Sequence, residues 1–365
     1  MDGSQQQTGG CRVLHIGKYF PPHRGGMETS LQDMMAIQAR AGIVVSAVVH
    51  GSTRSFSDVI EEVPLTGGNA CQITRSARWF NIGFIPISPL FWLSVRRAIK
   101  QFQPDVLHIH HPNSSGAFLL FLPSARAIPW TITWHSDILT PGASLPVRLG
   151  YSLYRFFERW QLRVAKRIIA TSPPYMEASK PLQVVRDKIE CIPLELDAMR
   201  LPHPDSVEPL PRPEAPLVLC VGRLAIYKGH LDLLEAIADL PSVHLWIVGE
   251  GEERASIEAK IRELGLEERV ELLGAVEADL LWRYYKTCDV FCLASDDRTE
   301  AFGVVLLEAA HFGKPVVVRP IPRSGVGWLA QGLGGAEVAD GMSSRELKQA
   351  LARVTKMLGV GADSR

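Results

Sequence analysis

The fold is decided by a strand, loop and helix pattern in residues 288–308, which read CDVFCLASDDRTEAFGVVLLE. Residues 288–294 are short, apolar and rich in β-formers, which predicts a buried strand. A polar loop covers 296–300, and the spacing after it predicts a helix from Phe302 or Gly303. Glu300 then ends the loop, and Glu308 lies about two turns further along. The first amides of such a helix have no internal partners, so a phosphate can bind there.

The same alternation of strand and helix runs through the whole chain. In the first half we predict strands at 11–16, 43–49, 105–109, 130–134 and 167–171, with helices at 27–41 and 147–166. In the second half we predict strands at 217–221, 243–248, 270–273, 289–294 and 315–318, with helices at 230–240, 252–264, 277–286 and 343–357. This order predicts parallel α/β sheets, and ligands bind outside the carboxyl ends of their strands.

A proline-rich segment divides the two halves. Six prolines between residues 201 and 216 exclude helix and central strand, so we place a linker there. The predicted organisation is a disordered polar tail at 1–10, a Rossmann-like domain at 11–200, the linker at 201–216 and a second Rossmann-like domain at 217–365.

Composition indicates a two-domain globular protein of 365 residues with a formal net charge of zero. Residues 1–195 hold 20 Lys and Arg against 13 Asp and Glu, and 196–365 hold 19 against 26. This moderate basic excess fits acidic lipid or a phosphorylated acceptor at least as well as nucleic acid, and we predict no nucleic-acid partner. No secretory signal or membrane-spanning stretch is visible, and the six cysteines are interpreted as buried reduced thiols of a cytoplasmic protein.

Two further motifs follow predicted strands. Residues 221–229 read VGRLAIYKG, so Arg223 and Lys228 stand where two fixed cations could neutralise a diphosphate. A lone basic pair in a loop is usually only surface, and the acidic pair further on favours the functional interpretation. Gly25 and Gly26 follow the first strand, where two residues without Cβ allow close backbone approach.

Histidines mark the ends of two neighbouring strands in the first half. His135 follows the strand at 130–134 in the stretch TWHSD, and residues 108–111 read HIHH. We interpret His108 and His110 as structural because they alternate within or beside a strand. No zinc-binding spacing such as H-E-x-x-H occurs, so we predict that the protein binds no metal.

Taken together, these motifs resemble those of retaining glycosyltransferases of family 4 over roughly residues 11–318. The resemblance implies the GT-B fold, two facing Rossmann-like domains with the active site in the interdomain cleft. It also implies that Glu308 binds ribose, that Glu300 and His135 lie near the donor sugar, and that Arg223 and Lys228 bind the diphosphate. The remaining implied donor-binding residues are Gly25, Gly26, Leu273, Gly274, Ala301, Phe302, Gly303 and Val304. After residue 315 the chain is shorter than is usual for the family.

By this resemblance the protein transfers a hexose or deoxyhexose, of mannose or rhamnose type, from a nucleoside-diphosphate sugar. A GDP-sugar is the favoured donor, and the acceptor is a polysaccharide, glycolipid or lipid-linked oligosaccharide. No cofactor is expected. Mixed aromatic and basic residues at 75–100 and 148–166 suit a peripheral membrane surface at the inner face of the membrane. A core with basic residues on its solvent side explains them equally well.

Two alternatives stay open. One is a sugar-nucleotide epimerase or hydrolase of the same fold, which would form its product without an acceptor. The other is a non-catalytic protein that binds nucleotide sugar or acts as a scaffold, which would bind the donor without turnover.

Overall fold

The computed structural model describes residues 10–68, 70–82, 85–138 and 145–362. Within them the chain forms two compact units. The first comprises the residues up to Ala170 together with Ser179–Arg200, and the second comprises Thr171–Ala178 and the residues from Leu201 onward. The predicted tail at 1–10 lies outside the described residues except for Gly10.

An eight-stranded sheet forms the centre of the first unit. Its strands are β1 (Arg12–Ile16), β2 (Val44–His50), β3 (Val59–Pro64), β4 (Ala70–Ser76), β7 (Val106–His111), β8 (Trp130–Trp134), β9 (Arg167–Ala170) and β10 (Ile189–Cys191). A separate hairpin joins β5 (Phe80–Ile82) and β6 (Ile85–Ile87). The sheet order is β10-β9-β8-β7-β1-β2-β4-β3, and every pair is parallel except β3 with β4.

Helices connect the strands of this sheet. They are α1 (Gly26–Arg40), α2 (Phe91–Phe102), α3 (Pro123–Arg126) and α4 (Leu145–Val164). The following short helix, α5 (Pro173–Ala178), belongs to the second unit. Helix α1 buries Leu31, Met35 and Ala36 against β2 and β4, because these residues recur at helical spacing on one face.

The second unit is built on a six-stranded parallel sheet in the order β13-β12-β11-β14-β15-β16. Its strands are β11 (Leu217–Val221), β12 (His244–Val248), β13 (Val270–Gly274), β14 (Val290–Leu293), β15 (Val316–Val318) and β16 (Ala336–Val338). Its helices are α6 (His230–Ala238), α7 (Arg254–Glu263), α8 (Ala278–Thr287), α9 (Val304–His311), α10 (Val326–Gln331) and α11 (Ser344–Ala362). Strand β14 is buried throughout, as expected for a strand covered on both faces.

Most predicted elements are confirmed, and β8 and β11 have the predicted bounds. Residues 201–216, all described, contain neither α-helix nor strand, only a 3-10 turn at Pro204–Ser206. The antiparallel strand β3 was not predicted, because Glu61 and Glu62 interrupt its apolar pattern. Also not predicted were strands β4 and β10 and helix α2 in the first unit, the hairpin of β5 and β6, and the short elements α3, α5, α10 and β16.

Two local predictions were wrong. Helix α9 begins at Val304, so Glu308 lies only a little over one turn into it, because Gly303 takes a left-handed conformation that ends the loop there. Cys11 was expected to be buried but is exposed, as is Cys191, because Cys11 precedes the first residue of β1.

Candidate active site

The loop after β11 presents two of the predicted cations. Arg223 follows the strand, and a 3-10 turn at Ile226–Lys228 ends at Gly229, whose φ of 66° is left-handed. A Cβ on Gly229 would lie 2.2 Å from the carbonyl oxygen of Ala294. Only glycine fits this approach, which brings the loop against the carboxyl end of β14.

Lys228 and Glu300 form an ion pair at this point. Lys228 Nζ donates to Glu300 Oε2 over 2.5 Å, and Ser295 Oγ donates to the same oxygen over 3.2 Å. The two charged side chains are only 11% and 13% exposed. Burial opposes the charge of Lys228, but Glu300 and Tyr227 outweigh it and raise the pKa of the ammonium group. Lys228 therefore remains a fixed positive charge at neutral pH.

Arg223 and Lys228 both lie near the ring of Tyr227. Its guanidinium carbon lies 5.8 Å from the centre of the Tyr227 ring, and Lys228 Nζ lies 5.5 Å from that centre. Arg223 is exposed, whereas Lys228 is largely buried. The two cations thus share one aromatic ring, and Arg223 presents its charge to solvent.

The loop that carries Glu300 leads into the N-terminus of α9. Ala301, Phe302 and Gly303 are buried, and Gly303 has a φ of 82°. Val304 is the first residue of the helix. The N-cap residue is Gly303, which has no side chain to bond the first amides. The first amides of α9 therefore follow directly on the Lys228–Glu300 pair along the chain, and they favour an anion.

A second loop holds this segment in place. Ser324 Oγ donates to the carbonyl oxygen of Glu300, and the amide of Gly325 donates to the carbonyl of Ala301 over 2.8 Å. A Cβ on Gly325 would lie 2.4 Å from Ser172 Oγ. The loop after β15 therefore holds the backbone of Glu300 and Ala301, part of the predicted donor-binding segment, through these two hydrogen bonds.

Glu308 lies inside α9 and is 7% exposed. The hydroxyl of Tyr285 donates to Glu308 Oε2 over 3.0 Å. Burial, followed by the nearby carboxylate of Glu308, raises the pKa of Tyr285 well above its usual value, so the hydroxyl keeps its proton. Tyr285 thereby fixes one oxygen of the carboxylate.

The end of β13 is a tight glycine turn. Gly274 has a φ of 71°, and its carbonyl accepts the amide of Gly249 over 2.8 Å. A Cβ on Gly274 would lie 2.9 Å from Glu250 Oε1. Leu273 is half-buried beside it. Both predicted residues thus lie at a strand end of the same sheet that carries Lys228.

In the first unit, the predicted glycines lie at the start of α1. Gly26 is the first residue of the helix, and Gly25 precedes it in an extended conformation. Both are exposed. A Cβ on Gly25 would lie 2.2 Å from Glu28 Oε2, the far end of a flexible side chain. The structure therefore gives Gly26 a plain helix start, and a side chain at Gly25 would displace Glu28.

His135 directly follows β8 and is 5% exposed. Its Nε2 lies 3.0 Å from His110 Nδ1, and His110 Nε2 lies 3.0 Å from His15 Nδ1. Burial lowers the pKa of His135 to about 4, with a smaller contribution from His111. His108 and His110 are buried in β7, and His108 Nε2 bonds Thr133 Oγ1 over 2.7 Å.

One group in the described part of the chain has the ligands for a metal ion. Nitrogens of His15, His108 and His110 lie within 4.8 Å of one another. Burial lowers the pKa of all three, so they are neutral. However, the 3.0 Å separation of His15 Nδ1 and His110 Nε2 suits an N–H···N hydrogen bond, which engages the lone pair that a metal ion would need. That the protein binds no metal stays a prediction.

Several residues at the site were not predicted. They are Tyr227, Tyr285, Ser295, Ser324 and the fully buried Arg319, which donates to Asp232. Ser295 could have been found, because it follows an apolar strand directly, and Tyr227 lies between the two predicted cations. Tyr285 gives no local signal, since it is one aromatic residue among several on α8.

Helix α4 has an exposed face that mixes aromatic and basic residues. Its side chains line an open groove of about 510 Å³, formed by Ser152, Arg155, Phe156, Arg159, Trp160 and Arg163. Phe156 is 63% exposed. The second predicted surface, at 75–100, was partly wrong, because Arg75 and Phe91 are buried in the first unit. Among the described residues, no helix is long and apolar enough to cross a membrane.

Comparison with known proteins decides the family. The model described as Glycosyltransferase Family 4 matches residues 24–198, and that described as Glycosyl transferases group 1 matches residues 205–356. D-rhamnosyltransferase WbpZ of Pseudomonas aeruginosa is 32% identical over 314 residues, covering 84% of this chain and 77% of that protein. The chain belongs to glycosyltransferase family 4.

This family 4 glycosyltransferase is also 27% identical to O-antigen chain mannosyltransferase C of Escherichia coli, over 84% of the chain and 78% of the relative. Its structure superposes on sucrose-phosphate synthase from Thermosynechococcus elongatus with a TM-score of 0.71 at 20% identity, covering 94% of this chain and 89% of that one. At such identity the likeness shows the fold alone. It confirms the predicted GT-B class, with two Rossmann-like units.

Proposed function

We propose that this glycosyltransferase is a metal-independent, retaining enzyme. It transfers a hexose or deoxyhexose, of mannose or rhamnose type, from a nucleoside-diphosphate sugar to a polysaccharide, glycolipid or lipid-linked oligosaccharide. The observation that carries the proposal is the buried Lys228–Glu300 pair beside Arg223, in the segment that leads into α9.

The leaving group explains why these residues are needed. When the bond from the anomeric carbon to the diphosphate breaks, its electron pair stays on the phosphate oxygen, which gains negative charge. Lys228 is held in place by Glu300, and the exposed Arg223 and the first amides of α9 add positive charge, so these groups stabilise the charge of the leaving group. We therefore propose that no metal ion is needed for this step, and the sequence contains no Asp-x-Asp triplet.

Retention follows from same-face attack. The acceptor hydroxyl attacks the anomeric carbon on the face that the diphosphate leaves, and the departing phosphate oxygen takes the hydroxyl proton. Glu300 is held by Lys228 and Ser295 through one carboxylate oxygen, which suits a residue that orients the sugar rather than one that attacks it. Tyr285 donates to one carboxylate oxygen of Glu308 and so orients the carboxylate, which is assigned to bind the ribose hydroxyls.

The favoured donor is a GDP-sugar. Support comes from the relatives, which are named as a mannosyltransferase and a rhamnosyltransferase. Base recognition is assigned to the backbone at Leu273 and Gly274, the turn that ends β13.

The proposal is tested first by donor binding. Thermal stability is measured with GDP, UDP and ADP, and GDP is expected to raise the melting temperature most, whereas a preference for UDP would change the assigned donor. Transfer from GDP-mannose to lipid-linked acceptors is then followed with and without EDTA, and the anomer of the product is determined.

Each outcome bears on the proposal. An α-linked product from the α-linked donor, formed equally well in EDTA, supports it. An inverted product would refute retention, and loss of activity in EDTA would refute metal independence. A product that forms without acceptor would indicate a hydrolase or epimerase, and donor binding without turnover would indicate a non-catalytic protein.

We also propose peripheral attachment to the cytoplasmic face of an anionic membrane through α4. The exposed Phe156 supplies apolar surface, and Arg155, Arg159 and Arg163 supply positive charge around the same groove.

Vesicle flotation tests this attachment. Wild-type protein is expected to float with phosphatidylglycerol vesicles and not with phosphatidylcholine vesicles. The double variant Arg155→Glu/Arg159→Glu should lose flotation, whereas Arg262→Glu/Arg345→Glu, which makes the same charge change at exposed positions of the second unit, should keep it. Equal recovery with both lipids, or equal loss in both double variants, would refute the role of α4.

A further inference from the structure

Four buried or half-buried side chains of the first unit form a continuous hydrogen-bonded row, here called the histidine chain. It consists of Gln38 on α1, His15 on β1, His110 on β7 and His135 after β8. Gln38 Oε1 lies 2.9 Å from His15 Nε2, and the two histidine–histidine links are each 3.0 Å long. The row crosses neighbouring strands, because β8, β7 and β1 are adjacent in the sheet.

The three histidines of the histidine chain are neutral. Burial lowers the pKa of His15 to about 4 and that of His135 to about 4, and lowers that of His110 well below its usual value. A neutral imidazole has one N–H and one lone pair. Each ring can therefore donate only in one direction along the row, and the end of the row decides which direction that is.

The end of the row is the amide oxygen of Gln38, which can only accept. His15 must then carry its proton on Nε2, and its Nδ1 accepts from His110 Nε2. His110 Nδ1 in turn accepts from His135 Nε2. All donors thus point the same way, from His135 toward Gln38.

From this geometry we propose that Gln38, His15 and His110 are positioning residues that hold His135 in one tautomer. In it Nε2 carries the proton and Nδ1 is left as a hydrogen-bond acceptor for a hydroxyl group of a sugar substrate. The role of the sugar rests on the proposed function, whereas the tautomer does not.

The position of His135 makes its Nδ1 the nitrogen that a ligand can reach. The residue follows the carboxyl end of a parallel strand, the edge at which ligands bind in such sheets. Among the residues that the structure describes, Nδ1 has no hydrogen-bond partner, while Nε2 is bound to His110. A lone pair there accepts from a hydroxyl, whereas the other tautomer would offer an N–H instead.

The tautomer can be measured without any substrate. Protein labelled with 15N-histidine gives separate signals for protonated and lone-pair ring nitrogens, and the variant His135→Asn identifies one of the 11 histidines by its missing signals. We expect His15, His110 and His135 all to show a protonated Nε2 and an unprotonated Nδ1. A protonated Nδ1 on His135 would overturn the proposal.

Matched changes at Gln38 test the direction of the row. Gln38→Glu keeps the size and, as a carboxylate, only accepts, so at a pH above the pKa of His15 in this variant it should preserve the His135 signals. Gln38→Met keeps the size and neither accepts nor donates, so a mixture of tautomers should appear at His15 and His135. Gln38 is half-buried, so both changes are compatible with folding. If Gln38→Glu reversed the tautomers, or Gln38→Met left all signals unchanged, the inferred direction would be wrong.

Two further measurements separate this role from a structural or metal-binding one. His110→Phe, which removes the acceptor of His135, should lower kcat/KM about tenfold, and Gln38→Glu should stay within about twofold of wild type. Equal kcat/KM in His110→Phe and wild type would refute the positioning role. Stoichiometric metal in the purified protein, removed by a chelator together with the tautomer pattern, would overturn the histidine chain itself. An inactive wild-type protein with the expected signals would refute only the proposed function.

Discussion

Separate and joint removal of the two charges in the Lys228–Glu300 pair distinguishes their contributions to stability and to catalysis. The variants are Lys228→Met, Glu300→Gln and the double variant, all close in size to the native residues. Lys228 Nζ lies 2.5 Å from Glu300 Oε2, and the two side chains are only 11% and 13% exposed. Each single change therefore leaves one buried charge without its partner.

The expected magnitudes follow from that burial. Removing one partner of a buried ion pair costs about 3 kcal/mol or more, because the remaining charge loses its compensation. Replacing both by neutral groups should cost within about 1 kcal/mol, since neither charge is then buried. Transfer activity should behave differently, falling by a factor of about 100 or more in Lys228→Met and in the double variant.

Hydrogen exchange of the amides in β11 and β14 measures the local stability, because these strands carry the two loops that meet at the pair. Release of nucleoside diphosphate measures turnover. We expect the double variant to regain stability and to stay inactive. A double variant that regained turnover together with stability, or Lys228→Met turning over at the wild-type rate, would refute the catalytic role of Lys228.

Three more changes test other parts of the structure. Gly229→Ala should destabilise the second unit by about 3 kcal/mol, whereas Gly265→Ala, which has the same sign of φ but nothing within 4 Å, should cost about 1 kcal/mol. Tyr285→Phe should raise the KM for donor about fivefold at unchanged kcat, because Glu308 loses one hydrogen bond. Burial lowers the pKa of His15 from 6.5 to about 4, so between these pH values the unfolded chain binds more protons than the folded one. The contribution of His15 to the free energy of unfolding is therefore complete above pH 6.5 and about 2 kcal/mol smaller at pH 5.

The measurements that decide these three are urea unfolding for the glycine variants, donor saturation kinetics for the tyrosine variant and urea midpoints at pH 7 and pH 5 for the wild type. Equal losses in the two glycine variants would show that the contact with Ala294 has no energetic weight. An unchanged KM would separate Tyr285 from the donor. Burial also lowers the pKa of His50, His110, His135 and His230, so equal midpoints at both pH values would mean that neither His15 nor these histidines are buried in their neutral form.

The alternation of strands and helices could be predicted from the sequence because it depends on local properties. Strands β8 and β11 are runs of apolar and β-branched or aromatic residues between polar segments, and both were located residue for residue. The edge strand β3 was not predicted because most residues of Val59–Pro64 are exposed and two are glutamates, so its pattern resembles a loop. A strand that is buried on both faces is easier to predict, because its sequence is a continuous apolar run.

The residue types at the candidate site were also predictable, since the end of a strand is a local feature. Arg223, Lys228, Glu300 and His135 all follow predicted strands. The structure places His135 directly after β8 and the other three in the loops that follow β11 and β14. What could not be predicted is which of them touch. Lys228 meets Glu300 across 72 residues of chain because Gly229 allows the backbone to approach β14.

The amino-acid order alone therefore determined the α/β class and the side chains that stand at the strand ends, because helix and strand periodicities act over a few residues. Only the tertiary structure decided the partners: Tyr285 for Glu308, and the row from Gln38 through His15 and His110 to His135. Those contacts depend on the order of strands in the sheet. Strand order is set by the packing of whole elements, and no single stretch of sequence carries it.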